Sequence, residues 1–285
     1  MDADEQDKVR ARWQASARYW EKYRTLIAQI FAPLTTALVE EARVGPGHKV
    51  LDIGGGSGEP SLTVSSIVGP TGLVMFTDQA EGMVEVAHAE AARRGLTNID
   101  FKQCSADKLP FPDGTFDLAI ARLSVMFFPD PTAAVREALR VIRVCGSVSF
   151  VVWGPKEANP FFSSINDVID RFVDTPLLDP DAPDAFRFAE SGKLVKILES
   201  AGVKDVTERR FDFEIKAPIS FEQFWQTRIE MSEVVREKLA KLAEAQLPIV
   251  KQAAADSAQR YFADGTMCFP SRAWIVSGRK QGGLK

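Results

Sequence analysis

Apolar positions along the chain recur with a helical period in some stretches and as short continuous runs in others. Over residues 9–43, Trp13, Trp20, Ile27 and Leu34 repeat every seven positions, with Tyr23, Ile30 and Phe31 beside them. That stripe predicts a helix, which Pro33 is placed to kink or split. A loop at 44–49 leads into the apolar run "KVLDIG", a buried strand, and a helix follows from Pro60. The rhythm then repeats: strand 73–78, helix 81–95 closed by Gly95, strand 99–105, a Pro- and Gly-rich turn at 109–115 and strand 116–122. Helix 130–142, N-capped by Asp130, and strand 147–154 complete it. Alternating strands and helices, with strands apolar on both faces, predict a parallel sheet covered on both sides.

Beyond Gly154 the pattern loosens. Helices are expected at 162–173 and 191–203, an alternating strand at 206–216, a helical stretch at 219–262 and a last strand at 272–280. Pro- and Asp-rich loops, among them residues 174–186, surround the first of these helices. This divides the chain into an N-terminal helical cap (1–43), an α/β core (44–218 and 266–285, with a loop and helix insert at 155–190) and a helical lid insert (219–265). Seven strands result, with room for the cap and lid to cover the carboxyl edge of the sheet, where open α/β folds bind ligands.

Composition narrows the function classes. A net charge of −4 gives no broad basic surface, so nucleic acid is not an expected partner. The polar, acidic start has no signal-peptide core and no run of 18 apolar residues exists, so a cytoplasmic protein without a membrane span is expected. Three dispersed cysteines, Cys104, Cys145 and Cys268, are read as reduced, buried thiols. With His48 and His88 the only imidazoles, no metal site is expected.

The chemistry concentrates in "LDIGGGSGEP" (51–60), which suits a dinucleotide, a nucleoside-bearing cofactor or a phosphate. Its glycines run G-x-G-x-G, one residue short of the dinucleotide spacing, and Glu59 places a carboxylate where a diphosphate would need the helix N-terminus. Asp78 ends the second strand, where an acid meets ribose hydroxyls, and Asp107 follows the third, within reach of an adenine amino group. The charge pattern favours an adenosine cofactor without phosphates.

The segments "VLDIGGGSGEPSL", "VMFTDQAEGMVEVA", "CSADKLPFPDGTFDLAIAR" and "VMFFPDPTAAVREALRVIR" resemble, in order and spacing, the motifs of class I S-adenosylmethionine-dependent methyltransferases. Over residues 15–155 the chain is most similar to the small-molecule (type 11) group related to quinone-biosynthesis C-methyltransferases. The resemblance implies a Rossmann-like seven-stranded, mostly parallel sheet with one antiparallel strand, sandwiched by helices and carrying a helical cap. It implies that Asp52, Gly54, Gly56 and Gly58 line the methionine half of S-adenosylmethionine, the product being S-adenosylhomocysteine. It places Asp78 at the ribose, Gln79 and Met83 against the adenine, Ala106 and Asp107 at the adenine edge, and Arg122 near the methionine end.

Two departures stand out. Many relatives carry a His pair where this chain has Met126 and Phe127, and Pro-Gly-Gly where it has Val144, Cys145 and Gly146. His48 falls at the wrong edge of the sheet and His88 within a helix, so in-line methyl displacement without a His base is expected, with Tyr19 and Tyr23 the candidate catalytic groups. Trp20, Tyr23, Met126, Phe127, Trp153, Phe162 and Trp225 are read as an apolar pocket, with Arg187 placed to pair an acidic group. A small apolar or aromatic acceptor, methylated on oxygen or carbon, is the expected partner of a monomer or homodimer. The alternatives are an RNA or protein methyltransferase, or a non-catalytic S-adenosylmethionine-binding regulator.

Overall fold

The computed structural model describes residues 3–174 and 179–282. Residues 175–178 of the expected loop at 174–186, and residues 1–2 and 283–285 at the outer ends of the expected cap and core, lie outside the described residues. Seven strands form one sheet: β1 (Lys49–Ile53), β2 (Leu73–Asp78), β3 (Ile99–Gln103), β4 (Phe116–Arg122), β5 (Ile142–Trp153), β6 (Lys204–Ala217) and β7 (Met267–Arg279). Their order is β3-β2-β1-β4-β5-β7-β6, and β7 alone runs antiparallel to its neighbours. The β1/β4 boundary is where the order reverses, so the loops after these strands diverge and leave a crevice. Four of the five β1 residues are buried, as a strand covered on both faces requires, whereas edge strand β6 alternates between exposed and half-buried along most of its length.

The expected helix at 9–43 is three helices, α1 (Ala3–Lys22), α2 (Arg24–Ile30) and α3 (Ala32–Glu41). The second break falls at Phe31, because Pro33 has no amide hydrogen to extend α2 but fits the first turn of a new helix. After β1 come α4 (Ser61–Val68), α5 (Glu81–Arg93), α6 (Pro131–Val141), α7 (Pro160–Ile169) and α8 (Lys193–Ala201). Strand β5 starts five residues earlier than the apolar pattern suggests. Ile142 pairs Phe116 ahead of a register shift, and Cys145 takes a left-handed φ of 62°. Cys145 is exposed and Cys104 and Cys268 are half-buried, which corrects the reading of three buried thiols.

The stretch 219–262 divides into α9 (Phe221–Met231), α10 (Glu233–Leu239) and α11 (Leu247–Ala258). Ser220 and Gln223 form a reciprocal capping box at α9, and Ser232 caps α10, so each start is fixed locally. Cap, core and lid segments share one continuous hydrophobic core, from Ile27 and Leu34 through the sheet to Val235 and Val250. No helix among the described residues is long and apolar enough to cross a membrane.

Candidate active site

The loop after β1 is stitched to the end of β2. The amides of Gly54 and Gly55 both donate to Thr77 O (2.9 and 3.0 Å), and the Gly56 amide donates to Asp78 Oδ2 at 3.0 Å. Gly54 has φ 71°, and a Cβ there would stand 2.7 Å from Ser124 Cβ. A Cβ on Gly55 would meet the Phe76 ring at 2.3 Å, so the loop can lie against β2 only because this residue has no side chain. Glu59 Oε2 accepts from Thr63 N (3.3 Å) and Thr63 Oγ1 (2.7 Å), filling the start of α4 with a carboxylate. A bound diphosphate would meet repulsion there.

Two acids and one arginine are buried around this loop. Asp52 is fully buried; Oδ2 accepts from Ser61 Oγ at 2.6 Å and Oδ1 has no hydrogen-bond partner. Burial pushes its carboxyl up to about 7, against the pull of Ser61 and Arg122. Asp78 is likewise raised by burial, to about 6, opposed by the amides of Ala80 and Gly56. Arg122 donates to Thr35 Oγ1 (2.7 Å), Phe31 O (3.4 Å) and Glu59 O (3.1 Å), while its Nε is buried without a partner. Burial lowers the Arg122 pKa, but the guanidinium remains charged.

The roof comes from α1. Gln14 Oε1 accepts from the Gly82 amide at the start of α5 (2.9 Å), and a Cβ on Gly82 would stand 2.9 Å from that of Ala17, so the two helices cross closely. This aims Trp13 and Trp20 over the loop, with Trp13 edge-on to Phe127 at 5.0 Å. These elements border a single cleft beside the glycine loop. Its lining combines polar groups, the glycine loop, Asp78, Ser105 and Asp107, with the rings of Trp13, Trp20, Phe31, Phe127 and Phe128.

Gly54, Gly56, Asp78, Gln79, Met83, Ala106, Asp107 and Arg122 all line this cleft. Asp52 lies beneath it, and Gly58 turns the chain into α4 with φ 116°. Trp20 and Phe127 line it as well. The other residues read as pocket or catalytic groups point elsewhere. Tyr23 Oη donates to Glu230 Oε2 at 2.8 Å, and the Tyr19 hydroxyl accepts from Arg18 at 2.9 Å. Met126 is fully buried in the core, because the tight turn at 125–127 directs it away from Phe127. Trp153 packs on Phe31, Phe162 and Phe213, while Trp225 packs on Phe221. Arg187 is turned to Phe128 O at 2.7 Å. His48 Nδ1 accepts from the Gly45 amide at the opposite sheet edge, and His88 packs edge-on against Phe101. Among the described residues no His, Cys, Asp or Glu cluster could hold a metal.

Sequence reasoning passed over Gly55, Phe31 and Ser124 as cleft residues, and read Asp130, which also lines the cleft, only as a helix cap. Phe31 was visible as a member of the first helical stripe. Gly55 carried no local signal, since its need arises from Phe76 across the sheet.

Residues 16–166 match the sequence profile of the ubiE/COQ5 methyltransferase family. The chain is 30% identical over 251 residues to an uncharacterized protein of Mycobacterium tuberculosis (strain H37Rv), covering 86% of each. It is 34% identical over 183 residues to the ubiquinone/menaquinone biosynthesis C-methyltransferase UbiE of Cupriavidus taiwanensis, covering 59% of this chain and 72% of that one. The YcgJ protein of Bacillus subtilis shares the fold, with a TM-score of 0.57 at 22% identity over 87% of this chain and 98% of that one. A profile match across just over half of the 285 residues, on the segment that builds the glycine loop and its acids, makes the chain a member of the ubiE/COQ5 methyltransferase family and thus an S-adenosylmethionine-dependent methyltransferase.

Proposed function

We propose that the protein transfers a methyl group to the oxygen or carbon of a small apolar or aromatic acceptor that enters the cleft beside its aromatic residues. The single observation that carries this reading is that one cleft is lined both by glycines and acids and by the rings of Trp13, Trp20, Phe31, Phe127 and Phe128. A quinone C-methyltransferase among the relatives supports an aromatic acceptor.

The residues present suit S-adenosylmethionine. Asp52 Oδ1 and Arg122 Nε are buried polar atoms without partners, one anionic on ionisation and one cationic, beside a loop open to close backbone approach. They match the ammonium and carboxylate of a methionine moiety. Asp78 would accept the ribose hydroxyls, Gln79 and Met83 would flank the adenine, and Ala106 with Asp107 would meet its edge. When bound, the donor supplies a methyl already activated on a sulfonium.

The protein's contribution is then positioning and exclusion of water. Asp52, which burial keeps protonated up to about pH 7, releases its proton when a cation stands at the loop. Trp13 and Trp20 close the roof and Phe127 and Phe128 shape the acceptor's side, so that a near-attack geometry is held without a histidine. Incubating the protein with methyl-labelled S-adenosylmethionine and a panel of quinols and phenols should yield labelled product. Tight binding of S-adenosylhomocysteine with no transfer to any small acceptor, but transfer to RNA or protein, would overturn the reading.

A further inference from the structure

Eight buried side-chain nitrogen or oxygen atoms lack a hydrogen-bond partner among the described residues. Five of them belong to residues away from the cleft. The other three are Arg122 Nε and Trp20 Nε1, whose residues line the cleft, and Asp52 Oδ1 beneath it. Asp52 and Arg122 match the ammonium and carboxylate of the donor's methionine moiety, which leaves Trp20 Nε1. An indole N–H can only donate. Buried indoles ordinarily find an acceptor, as Trp274 does at Ala189 O (2.8 Å). A donor shut away from both water and acceptors is costly, and a ring without the N–H would fill the same space without that cost.

The indole stands in the middle of the site. Trp20 alone among the described residues packs against both the main core and the small cluster of Ala17, Ala80 and Met83 at the start of α5. Its ring lies 6.1 Å from that of Trp13, which in turn meets Phe127 after β4. From Trp20 the chain runs through α2 to Phe31, whose carbonyl accepts from Arg122. Trp20 therefore bridges Met83, expected at the adenine, and the Arg122 side, expected at the methionine. Between adenine and methionine the donor carries its ribose, whose hydroxyls suit Asp78, and its sulfonium, a cation that does not attract an N–H. The donor thus has its partners without Trp20.

We infer that Trp20 Nε1 donates a hydrogen bond to an oxygen carried by the ring of the methyl acceptor, as a carbonyl, hydroxyl or phenolate. This rests on the small-acceptor reading above and narrows it to oxygen-bearing rings. The ligand class follows from the donor: a neutral N–H asks for a lone pair and not for a full charge, so a ketone or a phenol completes it and a hydrocarbon does not. The rings of Trp13 and Phe127 beside it offer apolar contact to the rest of the acceptor. A site that holds one polar group unpaired until its ligand arrives discriminates against analogues lacking the oxygen.

Calorimetry on full-length protein saturated with S-adenosylhomocysteine tests this with 1-indanone, which bears a carbonyl, and indane, the same bicycle without it. Indanone should bind about tenfold more tightly, the size of one completed buried hydrogen bond. Trp20→Phe, which keeps a ring, should remove that preference by weakening indanone alone and leave the affinity for S-adenosylhomocysteine unchanged. A second readout needs no variant. In protein carrying nitrogen-15 in its five indoles, one N–H signal should move downfield with indanone and stay in place with indane. Equal binding of the two probes by the unaltered protein overturns the Trp20 site and leaves the small-acceptor reading standing. Failure of both to bind, with S-adenosylhomocysteine bound, overturns both. A preference that survives in folded Trp20→Phe, or an indole spectrum that does not distinguish the probes, places the oxygen elsewhere and overturns the inference. Markedly weaker binding of S-adenosylhomocysteine by folded Trp20→Phe would assign Nε1 to the donor and overturn it as well. If Trp20→Phe does not fold, the unaltered protein and its indole spectrum decide the question.

Discussion

Asp52→Asn should flatten part of the pH dependence of the protein's stability in the absence of its donor. Asp52 is fully buried, and burial raises its pKa from 3.8 in the unfolded chain to about 7 in the native state. The native protein thus keeps a proton that the unfolded chain releases. The stability gained is fully present below pH 3.8 and is lost as pH rises through about 7. At 1.36 kcal/mol per tenfold change in proton affinity, the loss is about 4 kcal/mol at most, a sizeable share of a typical domain's stability. Asn has nearly the same volume, carries no charge, and its Oδ1 can accept the Ser61 hydroxyl as Asp52 Oδ2 now does at 2.6 Å. Urea denaturation of both proteins at several pH values between 4 and 8 isolates this one group, because every other titration is common to the pair. The Asn variant should gain on the unaltered protein steadily as pH rises, by about 2–4 kcal/mol over the range. Two stability curves that stay parallel within about 1 kcal/mol would refute the argument that burial controls this acid.

Other substitutions probe the remaining parts of the site. Asp78→Ala should weaken S-adenosylhomocysteine binding at least about tenfold in calorimetry, through loss of a buried acceptor; an unchanged affinity would remove Asp78 from the donor site. Gly55→Ala should cost roughly 1–3 kcal/mol in denaturant unfolding, since its Cβ would stand 2.3 Å from Phe76, and Phe76→Leu should restore part of that. If Gly55→Ala costs nothing, the loop does not press on β2 as described. Trp20→Phe keeps a ring in the roof and drops an Nε1–H that is buried without an acceptor. It should leave the melting temperature of the donor-free protein unchanged or raised, and a marked fall would mean that Nε1 has a partner.

The glycine loop and its acids were legible because their determinants are local. A strand, a glycine loop and a helix follow one another within residues 49–68, Asp78 ends the next strand and Asp107 follows the one after. The seven-stranded sheet was legible for the same reason: in parallel strands covered on both faces, apolar runs are short and separated by helical periods. What escaped was set by contacts between distant segments. Gly55 has an ordinary backbone conformation, and only the Phe76 ring from β2 makes a side chain impossible there. The first helix stripe held its period across breaks at Tyr23 and Phe31, because period alone does not register where a chain bends around the sheet.

The aromatic residues illustrate the limit more sharply. Trp153 ends a strand at the edge where ligands bind, yet its ring is spent on Phe31, Phe162 and Phe213. Aromatic residues on one face of a helix are equally good core and equally good pocket, and sequence cannot separate the two when the partners come from α7, α9 and β6. The two arginines make the same point in opposite directions. Arg187, in a Pro- and Asp-rich loop between phenylalanines, looked available for an acidic ligand, but it holds the Phe128 carbonyl in place. Arg228, in "FWQTRIE", carried no signal of its own in the sequence. Packing of α9 near the start of α7 buries it against Phe161 and Phe162 and leaves its Nε without an acceptor. A charge becomes informative only once its surroundings remove every ordinary partner, and that removal is a property of the packed structure.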